Sequence, residues 1–231
     1  NLPDSHDLVF GAPESPEVIW HPNPVLLEHW DSIESMLPFS EGNVFVDFAS
    51  GCGRDVAWAL KKSRSRFSLG IGLEKRTNQL LNLEILGEQC GLPVQMAWAA
   101  DAKGGWTSDG NVPLLVGAQV DCRDEVAVTA VVPKQKASVV NVARFKDVRL
   151  WPSLRRLVCM GGLIVYHHFM VGSFRPFSEA QCLRPGELEA EFGPDHGFEV
   201  IFDKVHVIAD GRPTSSFCAR KMVPAGLEIH T

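Results

Sequence analysis

The sequence lacks several features that would mark common protein classes. It has no C-x-x-C pair. Its six cysteines, Cys52, Cys90, Cys122, Cys159, Cys182 and Cys218, lie far apart, which argues against a disulfide frame or a zinc site and for reduced intracellular thiols. No apolar run is long enough for a membrane span. The longest, around Leu157 to Tyr166, is about half the required length. No signal peptide, internal repeat or low-complexity block is visible. Basic residues are not in excess either: 22 stand against 28 acidic ones, a net charge of −6, which argues against a surface built for sequence-independent nucleic-acid binding but allows a local basic patch. The chain opens on Asn1 without a methionine, leaving room for a missing N-terminal segment or partner domain. The expected compartment is the cytoplasm, with no membrane partner.

What is present is ordinary globular material: 45% hydrophobic and 22% charged residues over 231 positions, enough for one sizeable core. Residues 1–24, rich in Pro, Asp and Ser, predict an extended arm, and residues 25–231 a single domain. Within that domain, apolar runs alternate with helical patterns. Val44–Phe48, Phe67–Leu73, "VQMAWAAD", "ASVVNVARF" and "LIVYHHF" read as strands. The helices are "PVLLEHWDSIESML", Arg54–Lys62, a segment capped by Thr77 and closed by Gly91-Leu92-Pro93, "WPSLRRLVC" and "RPGELEAEF". "FEVIFDKVHVI" and "SSFCARKM" form a closing pair joined by Asp210-Gly211-Arg212-Pro213. This order predicts an α/β fold whose mostly parallel sheet is covered on both faces and has an antiparallel edge. Residues 102–137 break the rhythm. Their centre, "AQVDCRDEVAVTAVV", alternates enough for a hairpin, so the segment is expected as an insertion over one rim of the sheet.

The stretch "NVFVDFASGCGRD" concentrates the functional signal: a strand, a sharp glycine turn and a helix start. Gly51 and Gly53 let the backbone bend and approach a ligand, and the helix N-terminus offers free amides. A dinucleotide fingerprint would put a small residue third, where Val56 stands. Asp47, an acid inside an apolar strand, needs an ammonium group or the turn's own amides as partner. Glu74, ending the second strand, is placed to accept from ribose hydroxyls, and Asp101, ending the third, from an adenine amino group. An amino acid, a ribose and an adenine together make S-adenosylmethionine.

"VFVDFASGCGRDVAWAL" resembles the first motif of class I S-adenosylmethionine-dependent methyltransferases, usually Asp-x-Gly-x-Gly-x-Gly. The C-terminal stretches "VVNVARFKDVRLWPSLRRLVCMGGLIVYHHFMVG", "LRPGELEAEFG" and "DGRPTSSFCARK" are similar in order to the tellurite-resistance-type methyltransferases. The resemblance covers roughly residues 22–101 and 138–221. It implies a three-layer Rossmann-like fold with a seven-stranded, mostly parallel sheet, its C-terminal strand antiparallel, and S-adenosylmethionine as cofactor. It also implies that Ala49, Ser50, Gly51 and Gly53 hold the methionine part with support from Asp47, and that Arg54 begins the helix beside it. Glu74 and Asp101 keep the roles given above, and Asn141, Val142 and Ala143 line the face of methyl transfer.

There are departures. Ala49 replaces the first glycine, Asp147-Val148 stands where relatives often show His-Arg, and His167-His168 where they tend to have Glu-Thr. The acceptor therefore cannot be borrowed from the family. No catalytic residue is assigned. Arg144, His167 and His168 are candidates, and His167, His168 or Asp147 would serve if the acceptor must lose a proton. A buried structural histidine is the ordinary outcome for either of the pair. The basic run Lys61–Arg66 reads as a solvated helix end, and Trp98 and Trp106 read as aromatic core or a pocket wall.

The expected activity is methyl transfer to a small molecule. The alternatives are an RNA or protein methyltransferase that docks through the 102–137 segment, and a non-catalytic cofactor-binding module. A nicotinamide-dependent oxidoreductase ranks last.

Overall fold

The computed structural model describes residues 21–99, 104–108, 112–132, 134–173 and 178–223. Most of the expected arm, and Asp101, lie outside the described residues. The elements are α1 (Pro24–Ser35), β1 (Asn43–Phe48), α2 (Arg54–Lys62), β2 (Phe67–Glu74), α3 (Thr77–Gln89), β3 (Val94–Ala97), β4 (Leu114–Gln119), α4 (Glu125–Val131), β5 (Ala137–Ala143), α5 (Trp151–Leu157), β6 (Val158–Phe169), α6 (Glu187–Phe192), β7 (Phe198–Val207) and β8 (Pro213–Lys221).

One eight-stranded sheet, in the order β3-β4-β2-β1-β5-β6-β8-β7, forms the middle layer. The strands from β3 to β6 pair in parallel, while β8 is antiparallel to both β6 and β7. The mixed, mostly parallel architecture with an antiparallel C-terminal strand is the expected one, with one correction. The sheet has eight strands rather than seven, and β8 lies between β6 and the edge strand β7. A short turn at Asp210–Arg212 sends the chain straight back beside β7, and β8 then buries its apolar Phe217, Cys218 and Ala219 between its two neighbours.

The 102–137 segment departs most from expectation. Its centre forms no hairpin: Leu114–Gln119 is β4, paired to β2 on one side and β3 on the other, and Glu125–Val131 is a helix capped by the Asp124 side chain. The strand read as third, β3, is pushed to the sheet edge. Composition explains the exchange. "LLVGAQ" is a nearly continuous apolar run, suited to a strand covered on both faces, whereas "VQMA" alternates and is only partly buried.

Parity along the strands divides the core in two. Phe45 of β1 joins Val25, Leu26, Trp30 and Ile33 of α1, Val56 and Leu60 of α2 and Leu80 and Leu83 of α3 on one face. Val46 and Phe48 join Val128 and Val131 of α4, Trp151 and Leu154 of α5 and Leu188 and Phe192 of α6 on the other. Thr77 does not cap α3. Arg76 precedes the helix without a side-chain cap, and the Thr77 hydroxyl instead accepts from Gln119 Nε2 at 3.0 Å.

Glycine sets how closely α2 and α3 approach the sheet. A Cβ on Gly53 or on Gly72 would stand 2.6 Å from Leu83 Cδ1, and one on Gly117 would stand 3.1 Å from Leu83 Cδ2. Leu83 thus rests on three glycines, one in the turn after β1 and two in neighbouring strands. That contact ties the turn to the sheet.

Candidate functional site

Strand order reverses between β1 and β5, and ligands of open parallel sheets bind outside the carboxyl ends of the strands at such a point. A cleft of about 300 Å³ opens there, lined by Ala49 after β1, Glu74–Arg76 at the end of β2, Val120–Arg123 after β4 and Ala143–Phe145 at the end of β5.

The turn after β1 is tightly wound. Ala49, Gly51 and Gly53 all have positive φ, 54°, 56° and 74°. The value for Ala49 is uncommon outside glycine and belongs to the small class of strained backbones that cluster at ligand sites. The Ser50 hydroxyl is buried with no partner among the described residues. Arg54 opens α2, which carries Asp55 in its first turn.

Glu74 is 4% exposed, and both its oxygens are engaged. Oε2 accepts from the Gly51 amide at 3.1 Å and from Arg76 Nη2 at 3.3 Å, and Oε1 accepts from the Arg76 amide at 2.9 Å and Nε at 3.0 Å. Burial opposes the charge, but the Arg76 bonds and the Gly51 amide outweigh it and hold the carboxyl below its usual range. An acid that reaches from the end of β2 to an amide of the β1 turn is a structural link as well as an acceptor on the cleft wall.

Asp47 and Asn141 sit behind the turn and not on the cleft wall. They are register partners on adjacent strands, so their side chains share the α1–α3 face. Asn141 Nδ2 donates to Asp47 Oδ1 at 2.7 Å and to Asp55 Oδ2 at 3.1 Å. Asn23, the N-cap of α1, closes the cluster: its amide donates to Asp55 Oδ1 and its Nδ2 to Asp55 Oδ2, both at 2.8 Å. Among the described residues the partner of Asp47 is neither an ammonium group nor an amide of the turn itself: beside Asn141, it accepts from the Val56 amide in the first turn of α2. Val142 points to the opposite layer, against Phe48, Trp151 and Tyr166.

Burial, followed by the Asp55 charge, raises the Asp47 carboxyl well above its ordinary 3.8. The folded chain then binds a proton that the unfolded chain releases. The stability this acid contributes is present at low pH and is lost as pH rises from 3.8 through the raised value. In Asp47→Asn that loss should vanish. Urea unfolding at about pH 5 and about pH 8 should show wild type losing stability relative to the variant, whereas parallel changes would contradict the assignment.

The candidates for chemistry separate clearly. Arg144 lines the cleft, with φ 56°. His167 and His168 are buried at 2% and 1% exposure, each bonded to a backbone carbonyl: His167 Nδ1 to Ser215 O at 3.1 Å and His168 Nε2 to Gln181 O at 2.7 Å. Because a carbonyl only accepts, those nitrogens carry the protons. Burial lowers both rings to about 4. Asp147 is unsuited as a base: bonds from Arg149 and Arg123 hold it at about 2 despite partial burial.

The sequence reading missed Asp121, Cys122 and Arg123 on the β4 side of the cleft. Cys122 Sγ accepts from the Ala49 amide at 3.4 Å, tying β4 to the turn, and burial pushes its thiol up to about 12. The signal was available: "LLVGAQVD" is an apolar strand with an acid at its end, as in β2. Of the two tryptophans, Trp106 packs partly buried against the α4–α6 core, and Trp98 is exposed. The described residues hold no group of three or more His, Cys, Asp or Glu placed for a metal, and no helix among them is long and apolar enough to cross a membrane.

No family model matches the chain, and no curated protein matches its sequence. Solved structures do match its fold. The CurJ carbon methyltransferase superposes with a TM-score of 0.59 at 12% identity over 86% of this chain, which spans only 54% of that protein's length. A SAM-dependent methyltransferase from Leishmania major gives 0.55 at 13% identity, covering 84% of this chain and 71% of that one. TYW2 from M. jannaschii, solved with AdoMet, gives 0.53 at 15% identity, covering 90% and 80%. Similarity at these identities establishes a shared Rossmann-like methyltransferase fold.

Proposed function

We propose that the chain is an S-adenosylmethionine-dependent methyltransferase with a small-molecule acceptor. The observation that carries this reading is the cleft itself: a strained glycine turn, a buried acid at the end of β2 and a third wall from β4 meet at the point where strand order reverses. Structures of the same fold that are described as SAM-dependent or hold AdoMet support the choice of cofactor.

The residues present fit such a ligand. The turn from Ala49 to Gly53, with the orphaned Ser50 hydroxyl, would hold the methionine part beside Arg54. Asp47 and Asn141 support that turn from behind. Glu74 would take the ribose hydroxyls, which replace the Arg76 guanidinium on its oxygens. Asp121 and the adjoining Cys122 replace Asp101 in our assignment of the adenine wall, because β4 and not β3 borders β2. When bound, the cofactor supplies an activated methyl group, and the chain's task is to hold the acceptor in line and exclude water. The ground for a small acceptor is the sequence resemblance to tellurite-resistance-type methyltransferases together with the net charge of −6. We place the protein in the cytoplasm on its six free thiols.

Glu74→Ala removes the ribose acceptor and the Gly51 link together. Calorimetric titration should show S-adenosylmethionine and S-adenosylhomocysteine binding to the wild type, NAD not binding, and affinity for both adenosyl ligands falling about a hundredfold in the variant. Binding of NAD alone, or of nothing, would remove the enzyme reading.

A further inference from the structure

Charge around the cleft mouth is unevenly matched. Lys75 pairs with Asp121 at 3.9 Å, Arg76 with Glu74 at 3.0 Å, and Arg123 and Arg149 with Asp147 at 3.0 and 2.6 Å. Arg212 pairs with Asp210 at 2.5 Å. These pairs occupy the nearby acids. Arg144 makes no ion pair with any described residue. Its guanidinium lies 5.8 Å from the centre of the Phe169 ring, at the end of β6, and its amide donates to the His167 carbonyl at 2.8 Å. The other groups that feel its charge are the buried imidazoles of His167 and His168 and the Asp210 carboxylate, which Arg212 holds while sharing the Phe169 ring at 4.3 Å.

The backbone adds a second, independent observation. At φ 56° Arg144 occupies the left-handed region, where glycine or asparagine would be favoured. An arginine there costs stability, and the conformation turns the chain out of β5 at the cleft wall. An unpaired cation, a strained backbone and an aromatic neighbour coincide at one residue, next to the strand ends where the proposed cofactor sits.

We propose that the methyl acceptor carries a carboxylate or phosphate group and that Arg144 binds it at the end of β5. This rests on the methyltransferase reading. The group recognised is a single anion. A nucleic acid would need several free cations in a row, and here the neighbouring ones are held in ion pairs. Arg144 is a binding residue for the acceptor, with no proton to transfer in the step.

The test titrates wild type and variants with inorganic phosphate, with citrate and with a short single-stranded RNA at fixed ionic strength. Binding of S-adenosylhomocysteine is measured first. Its absence counts against the methyltransferase reading but leaves the anion titrations valid. Expected is saturable binding of phosphate or citrate that weakens at least about tenfold in Arg144→Gln and Arg144→Gly and less in Arg144→Lys. Which of the two anions binds tighter assigns the group. Arg144→Gly relieves the left-handed strain, so it should melt no lower than wild type while losing the anion, which separates binding from folding. Arg149→Gln, exposed and paired with Asp147, should bind anions as wild type does. No saturable binding, equal weakening in Arg149→Gln, or RNA binding tighter than either small anion through Arg144 would each overturn the proposal.

Discussion

Lowering the pH from about 6.5 to about 4 should strip wild type of about 5 kcal/mol of stability relative to a His167→Asn, His168→Gln double variant. Both histidines are neutral in the fold because burial disfavours the charged ring, and their folded values of about 4 lie below the ordinary 6.5. The sign follows directly. Between those values the unfolded chain binds protons that the folded chain refuses, so the contribution is full above 6.5 and lost as pH falls through 4. Each shift corresponds to about 3 kcal/mol, and the two together rival the whole stability of a typical domain. The substitutions keep the donors: an asparagine amide replaces Nδ1 towards Ser215 O, and a glutamine amide replaces Nε2 towards Gln181 O. Asp47 acts in the opposite direction, so the comparison is with the double variant and not with wild type at neutral pH. Urea unfolding across the range reads the difference directly, and superimposable pH profiles would contradict the burial argument.

Leu83→Ala should cost about 3 kcal/mol. The side chain is fully buried on α3 and rests against Gly53, Gly72 and Gly117, so three backbones would line the cavity it leaves. None of those glycines has a side chain that could move in to fill the space. The loss should also reach function, because Gly53 belongs to the turn proposed to hold the cofactor. Thermal or urea unfolding gives the stability term, and titration with S-adenosylhomocysteine gives the second. A variant as stable as wild type would mean that the α3 contact does not hold the turn.

The glycine turn, β1, β2, β5 and β6 were legible because each strand is an apolar run, with glycines opening the turn after β1 and Glu74 ending β2, all local signals. Glu74 was legible for the same reason. Neighbour relations were not. "VQMAWAAD" has the strand-then-acid form and follows β2 in order, so Asp101 took the adenine role, whereas the strand that borders β2 is β4 and β3 is the edge. Leu114–Gln119 carries Gly117 and Gln119 in its middle and end, which disguised a central strand as part of a hairpin. Asn141 was placed on the reacting face by the family resemblance, at the end of the fourth strand. Only pairing with Asp47 across the β1–β5 register shows that its amide is used behind the turn, between two carboxylates. Asp147 looked like a base because nothing local to it in sequence reveals Arg123, 24 residues away, as its partner.

The most direct measurement is a crystal structure of the chain with S-adenosylhomocysteine. The ribose hydroxyls are expected on Glu74 with Arg76 displaced, the adenine between the ends of β2 and β4 beside Asp121 and Cys122, and the amino-acid part on the turn from Ala49 to Gly53. An adenine placed away from the ends of β2 and β4, or a ligand that leaves the Glu74–Arg76 pair intact, would contradict the assignment of this cleft.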